Sequence, residues 1–314
     1  MSDWRIWTMR DFEAEGRTRS WVRRAVARGE YIRAARGVFV PGARPSDPVE
    51  RWVQDCHVAV VARPGDTLTG ESAAGMLSLD GFQPGDFVRA GPVALQLPQS
   101  GSARWPGGRR LARLAAPTTA AGLPISAVEE VLLAVADQPG PAPRPGCRAA
   151  TTRLDVDELV ELALEDALRR ELVTLASLAE VIEAASWRRP GAAVLDAVLR
   201  RRGAAAPTES YLETRCVQEL RRAGLPAFER QQPADAPVGS YRVDLVLDGV
   251  AIEPMGLEYH GQRVARDARR HSYLAGSGLT VIPVTFADVE FRPAEMVRNV
   301  RSALARSRAS QATA

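Results

Sequence analysis

Near the start of the chain, apolar positions recur at helical spacing and then switch to alternation. Met9-Arg-Asp-Phe-Glu-Ala-Glu-Gly16 predicts a short helix that stops at Gly16. Within Thr18 to Arg28, Trp21, Val22, Ala25 and Val26 share one helical face, which leaves Arg17, Arg19, Arg23, Arg24 and Arg28 for the others, and Gly29 ends the helix. Tyr31-Ile-Arg-Ala-Ala-Arg-Gly-Val-Phe-Val-Pro41 reads as a hairpin that turns at Arg36-Gly37 and carries Arg33. Helix, turn, basic helix and hairpin outline a winged helix-turn-helix over residues 1–45, whose second helix would lie in a major groove while the wing touches phosphates.

The middle of the chain, 46–150, is read as α/β. Phe87-Val-Arg-Ala90, Val93 to Pro98 and Leu111 to Leu114 are candidate short strands, and Ile125 to Ala136 is a helix in which Ser126 and Glu129 have capping-box spacing. Pro139-Gly-Pro-Ala-Pro-Arg-Pro-Gly146 is a linker too rich in proline and glycine for regular structure. Helical patterns over Leu159 to Leu172, Leu175 to Ala185 and Ala192 to Arg201 then form a helical connection, 151–206. Asp166 on the apolar side of the first is expected to be a helix-surface or locally bonded carboxylate rather than a site residue, and His57, in the apolar stretch Val53 to Val61, a buried, hydrogen-bonded imidazole.

The sharpest alternation comes late. Val243, Leu245 and Leu247 alternate with Asp244, Val246 and Asp248; Gly249 breaks the run, and Val250-Ala-Ile-Glu253 resumes it, a hairpin signal. In a favourable register, Asp244 and Glu253 would stand side by side on neighbouring strands and repel each other unless a cation lay between them. Carboxylate oxygens suit Mg²⁺, which keeps several waters and completes its shell with substrate phosphate oxygens. Mn²⁺ is the natural substitute, and the chemistry served would be phosphodiester hydrolysis. His260, just beyond the acidic strand, is placed to act as a general acid or to position water, with a purely structural hydrogen bond as the alternative.

Composition narrows the class. At 314 residues, 46% hydrophobic and 25% charged, the chain has the length of two or three globular domains. The net charge of +3 is modest, yet arginines cluster in Arg17 to Arg36, Arg104 to Arg113, Arg200 to Arg202 and Arg263 to Arg270, the last including Arg266; such clusters suit phosphate backbones. All basic residues are arginine, and lysine is absent. Cys56, Cys147 and Cys216 form neither a disulfide framework nor zinc spacing. The N-terminus lacks a signal-peptide pattern and no run of about 18 apolar residues occurs, so a cytoplasmic protein without a membrane segment is expected. No nucleophile elbow, phosphate-cradling Gly-Lys loop or dinucleotide fingerprint is present, which disfavours serine hydrolases and NTPases.

Two resemblances add to this. Residues 207–308 resemble the PD-(D/E)XK nuclease superfamily, in particular domains similar to very-short-patch-repair endonucleases. The resemblance is carried by Glu209-Ser-Tyr-Leu-Glu-Thr-Arg215, Arg222-Ala-Gly-Leu-Pro226, Arg242-Val-Asp-Leu245, Ala251-Ile-Glu253, Tyr259-His-Gly261, Arg266-Asp267 with Arg270, and Leu279-Thr-Val-Ile-Pro-Val-Thr285. It implies a restriction-endonuclease-like mixed sheet flanked by helices, with Glu213, Asp244 and Glu253 as metal-site acids and His260 and Asp267 near them. The superfamily pattern is Glu-x-Lys and this subfamily's Glu-x-Asp-Gly, whereas this chain reads Glu253-Pro-Met-Gly256. Met255 thus stands where a charged group would orient water or bind metal, and a thioether does neither with Mg²⁺. The first segment resembles the N-terminal DNA-binding domain of AbiEi-type antitoxins, through Gly16, the following helix, Gly29, Arg36-Gly-Val-Phe-Val40 and Leu68-Thr-Gly-Glu-Ser-Ala-Ala-Gly-Met-Leu77. That resemblance brings a toxin-like protein partner into view, and a homodimer stays open.

The expected whole is an α/β multidomain chain with an N-terminal winged helix, a nuclease-like domain and a short tail, 309–314. It would bind DNA, and Asp244, Glu253, Glu213 and His260 would carry Mg²⁺-dependent endonuclease chemistry. A DNA-binding regulator of antitoxin type, its nuclease fold catalytically degenerate at Met255, is the alternative, and a protein-interaction scaffold the third reading.

Overall fold

The computed structural model describes residues 5–82, 95–96, 116–137, 154–185, 189–235, 240–255, 272–274 and 276–312. The chain is mixed α/β, with three small sheets among the described residues, which agrees with the expected α/β multidomain class at that level. It divides into two compact units: Met1–Arg148 with Asp155–Ala163 and Glu171–Val198, and Leu199–Ala314 with Ala149–Leu154 and Leu164–Arg170.

In the first unit, β1 (Trp7–Thr8) leads into α1 (Met9–Ala14), α2 (Arg19–Ala27) and the hairpin β2 (Tyr31–Ala35) and β3 (Val38–Pro41). The sheet order is β1-β3-β2, all antiparallel. Thr8 and Asp11 make a reciprocal capping box on α1, and the Thr18 hydroxyl accepts from the Trp21 N–H to start α2. Gly16, Gly29 and Gly37 fall at the predicted stops and turn, each with φ between 74° and 77°. Apolar faces of both helices close on Phe12, Val22 and Phe39, with Trp7, Trp21 and Tyr31 around them. Gly42 approaches the end of α2 so closely that a Cβ there would collide with the Gly29 carbonyl.

The helix α3 (Pro48–Ala62), capped by Asp47, lays Val58 against Val38 and Val40 of the hairpin. The second sheet has the order β5 (Leu95–Gln96), β4 (Thr67–Leu68), β7 (Leu123–Ile125), β6 (Thr118–Ala120). Here α4 (Gly70–Met76) precedes the almost wholly buried α5 (Val128–Ala136). Ser126 does not cap α5 as its spacing predicts: Ile125 still pairs with Thr118 and Leu68, and the Ser126 hydroxyl meets that of Thr67 at 2.9 Å, so the helix begins later with Ala127 as N-cap. Of the other strands expected here, only part of Val93 to Pro98 is seen, as β5; Phe87 to Ala90 and Leu111 to Leu114 lie outside the described residues, as does the linker Pro139 to Gly146. The three connecting helices appear as α6 (Val156–Arg169), α7 (Leu175–Ala185) and α8 (Pro190–Arg202).

In the second unit, α9 (Tyr211–Arg222) is followed by β8 (Glu229–Asp235), β9 (Ser240–Leu247), β10 (Val250–Met255) and β11 (Thr280–Thr285), then α10 (Phe286–Glu290) and α11 (Pro293–Gln311). The sheet order is β11-β10-β9-β8, antiparallel except for the β10–β11 pair, which is parallel. Leu212, Cys216 and Leu220 of α9, and Met296, Val300 and Leu304 of α11, bury one sheet face with Leu245, Ile252 and Val284. Val243 and Ala251 pack with Leu274 in a smaller separate cluster.

Candidate functional site

The turn between β9 and β10 sets the geometry of the acids. Asp248 and Gly249 have φ of 48° and 73°, the paired positive values of a type I′ hairpin turn that only glycine and short polar residues enter cheaply. Leu247 therefore pairs with Val250, Val246 with Ala251 and Leu245 with Ile252, where the β9–β10 ladder ends, one residue short of Asp244 and Glu253. The Asp244 N–H donates to Glu253 Oε1 at 3.4 Å. Glu253 is 3% exposed and Asp244 partly buried.

Glu213 comes from the first turn of α9. Ser210 accepts from the Glu213 N–H at 3.1 Å, and the Glu213 carboxylate accepts from the Glu209 N–H at 2.7 Å, so Glu213 also closes the helix start. It is 1% exposed. Burial pushes its carboxyl up to about 7 and the nearby charge of Asp244 adds to this, against the opposing Glu209 amide, Gln231 amide and Arg230 guanidinium. The predicted acids are thus linked in two ways: the Asp244 backbone amide reaches the Glu253 carboxylate, and the Asp244 charge acts on Glu213.

Carboxylates gathered in a buried place disfavour one another's charged forms, and a divalent cation offsets that cost with oxygen ligands of the hard type it prefers. The donor chemistry therefore fits Mg²⁺ or Mn²⁺ through Asp244 and Glu253. Among the described residues, however, no group of three His, Cys, Asp or Glu side chains is arranged to hold one ion, so Glu213 is not a direct third ligand in this arrangement. Met255 lies two positions beyond Glu253 on β10, partly buried. His260, Arg263, Arg266 and Arg270, together with Asp267, lie outside the described residues.

Two neighbours of the acids went unread in the sequence. Gln231, on β8, is across from Asp244 and 6% exposed, with Nε2 at 3.5 Å from both carboxylate oxygens of Glu213. Arg230 pairs at 3.0 Å with Glu165, which Arg202 also approaches at 3.1 Å. The signal was faint because Glu229-Arg-Gln-Gln-Pro-Ala-Asp235 is polar and contains proline, and so lacks strand alternation. Elsewhere, Asp166 is bonded locally, to Arg169 and Arg170. His57 is half-buried on α3 rather than fully enclosed, and burial lowers its pKa. Burial raises the thiols of Cys56 and Cys216 to about 12, which makes them inert.

The other candidate surface is α2 with its hairpin. Arg17, Arg19, Arg23, Arg24, Arg28, Arg33 and Arg36 are all exposed. Arg17 stacks over Trp21 at 4.5 Å, Arg19 lies 3.9 Å from Glu13, and Arg28 is paired with Glu30 at 2.6 Å. Arg23, Arg33 and Arg36 make no ion pair with the described residues. Arg19, Arg23 and Arg24 share the face of α2 that turns away from Val22 and Ala25, beside the small Ser20 and Ala27.

No helix among the described residues is long and apolar enough to cross a membrane. No family model matches the chain, and neither a curated protein nor a solved structure matches it.

Proposed function

We propose that the protein binds DNA through a winged-helix N-terminal segment and hydrolyses its phosphodiester bonds at a metal-dependent site of PD-(D/E)XK type in the second unit. The observation that carries this reading is the contact of the Asp244 N–H with the Glu253 carboxylate at the end of the β9–β10 ladder, on a mixed sheet against which α9, bearing Glu213, is packed. Asp244 and Glu253 would hold Mg²⁺, and Glu213 would act on the ion through water. A bound Mg²⁺ ion supplies an acidified water and neutralises charge on the phosphoryl oxygens. The exposed arginines of α2 and the hairpin hold phosphates, which fixes position on the duplex without choosing its sequence.

Supercoiled and linear DNA incubated with the protein in Mg²⁺ or Mn²⁺ tests this, beside Asp244→Asn and Glu253→Gln variants of verified fold. Cleavage by the native chain, lost in both variants, is expected. Two observations favour a second reading: a thioether stands at position 255, and the described acids do not form a three-ligand set. A DNA-binding regulator of antitoxin type, with the sheet kept as a platform, would bind DNA without metal and leave it uncut.

A further inference from the structure

The buried polar atom that stands out beside the acids belongs to Gln231. Its Oε1 is shielded from solvent and has no hydrogen-bond partner among the described residues, although leaving a buried carbonyl oxygen unpaired is costly. Its Nε2 is turned toward both oxygens of Glu213, at 3.5 Å each. Arg230 pairs with Leu245 and Gln232 with Val243, so Gln231 occupies the rung of Asp244. It does so with φ of 53°, in the left-handed region that is strained for a non-glycine residue. The strained backbone and the unpaired oxygen are separate costs at one residue, both located where the acids meet.

Resting on the metal-site reading above, we propose that Gln231 is a positioning residue of the acidic site. Its carboxamide nitrogen steadies Glu213, and its carboxamide oxygen accepts a hydrogen bond from a water of the hydrated divalent cation held by Asp244 and Glu253. Mg²⁺ and Mn²⁺ retain waters when only one or two carboxylates bind them, and such a water needs an acceptor. Met255 has none to offer. A carboxamide oxygen from the neighbouring strand supplies that acceptor without adding a further negative charge to the site.

The test is Mn²⁺ binding to the full chain, followed by the electron-paramagnetic-resonance signal of free Mn²⁺, with no DNA present and with folding of each protein checked by circular dichroism in EDTA. Gln231→Met, similar in size but without an acceptor oxygen, is expected to weaken Mn²⁺ binding at least about tenfold, the usual effect of removing an outer partner of a metal site. Gln231→Asn, which tolerates the left-handed backbone and withdraws the oxygen by one methylene, is expected to weaken it in the same direction and serves if the Met variant does not fold. Gln231→Glu keeps acceptor oxygens and is expected to bind at least as tightly as the native chain. Native-like affinity in Gln231→Met or Gln231→Asn overturns the inference, as does equal weakening in Gln231→Glu, which would point to packing alone. Absence of Mn²⁺ binding by the native chain overturns the metal site itself and this role with it.

Discussion

Glu213 does two jobs in one place: it closes the start of α9 and it lies under the influence of Asp244. Its carboxyl rises from 4.5 to about 7, chiefly because burial penalises the charge. Between those values the folded chain keeps a proton that the unfolded chain has released, so the group favours folding below the lower value and loses that contribution as pH rises through the upper one. In EDTA, the unfolding free energy of the native chain should fall by about 3 kcal/mol more across this window than that of Glu213→Gln. Urea melts at a series of pH values measure this, and parallel curves would mean that Glu213 titrates as an ordinary glutamate. Gly42→Ala should cost about 1–3 kcal/mol, because the new methyl must displace the Gly29 carbonyl; an unchanged urea midpoint would show that the loop yields freely. Asp244 and Glu253 could be read from the sequence because alternation and an Asp-Gly turn point to the same hairpin. Gln231 could not, since its importance lies in a backbone angle and an unpaired oxygen.

At the scale of elements, legibility followed period. The paired positive φ angles at Asp248 and Gly249 match the Asp-Gly signal, and α7 runs over the predicted Leu175–Ala185. Ser126 shows the limit: its spacing to Glu129 mimics a cap, yet the sheet holds Ile125 and delays the helix. The α11 stripe of Met296, Val297, Val300, Ala303 and Leu304 also has helical period, but the reading of the sequence leaves it unassigned. No period could reveal the buried charge pair that locks α9 to α10. Arg215, fully enclosed, donates through Nε to Glu290 Oε1 at 3.0 Å, and Tyr211 donates to the same oxygen at 3.1 Å. Glu290→Ala would leave that guanidinium buried with one anion fewer and should cost about 3–5 kcal/mol by denaturant melting. A loss below about 1 kcal/mol would mean that Gln218 and Glu219 suffice for Arg215.

For the whole molecule, the proposed DNA binding would draw on both units, one through exposed arginines and the other through oxygen ligands suited to a phosphate-bound cation. DNA affinity measured in EDTA should fall steeply with salt, since each phosphate contact releases counterions. Arg23→Ala and Arg33→Ala should each lower the slope of log affinity against log salt by about 1, with little change in sequence preference. A salt-independent affinity would speak against phosphate recognition altogether. Whether Asp244 and Glu253 support hydrolysis despite Met255 is decided by single-turnover cleavage of end-labelled duplex DNA in Mn²⁺, at protein concentrations that saturate binding by the native chain and by Asp244→Asn. Metal-dependent cleavage by the native chain and none by the variant is expected, although both hold the DNA. Equal cleavage by the two, or none by either while both remain bound, would contradict hydrolysis at these acids.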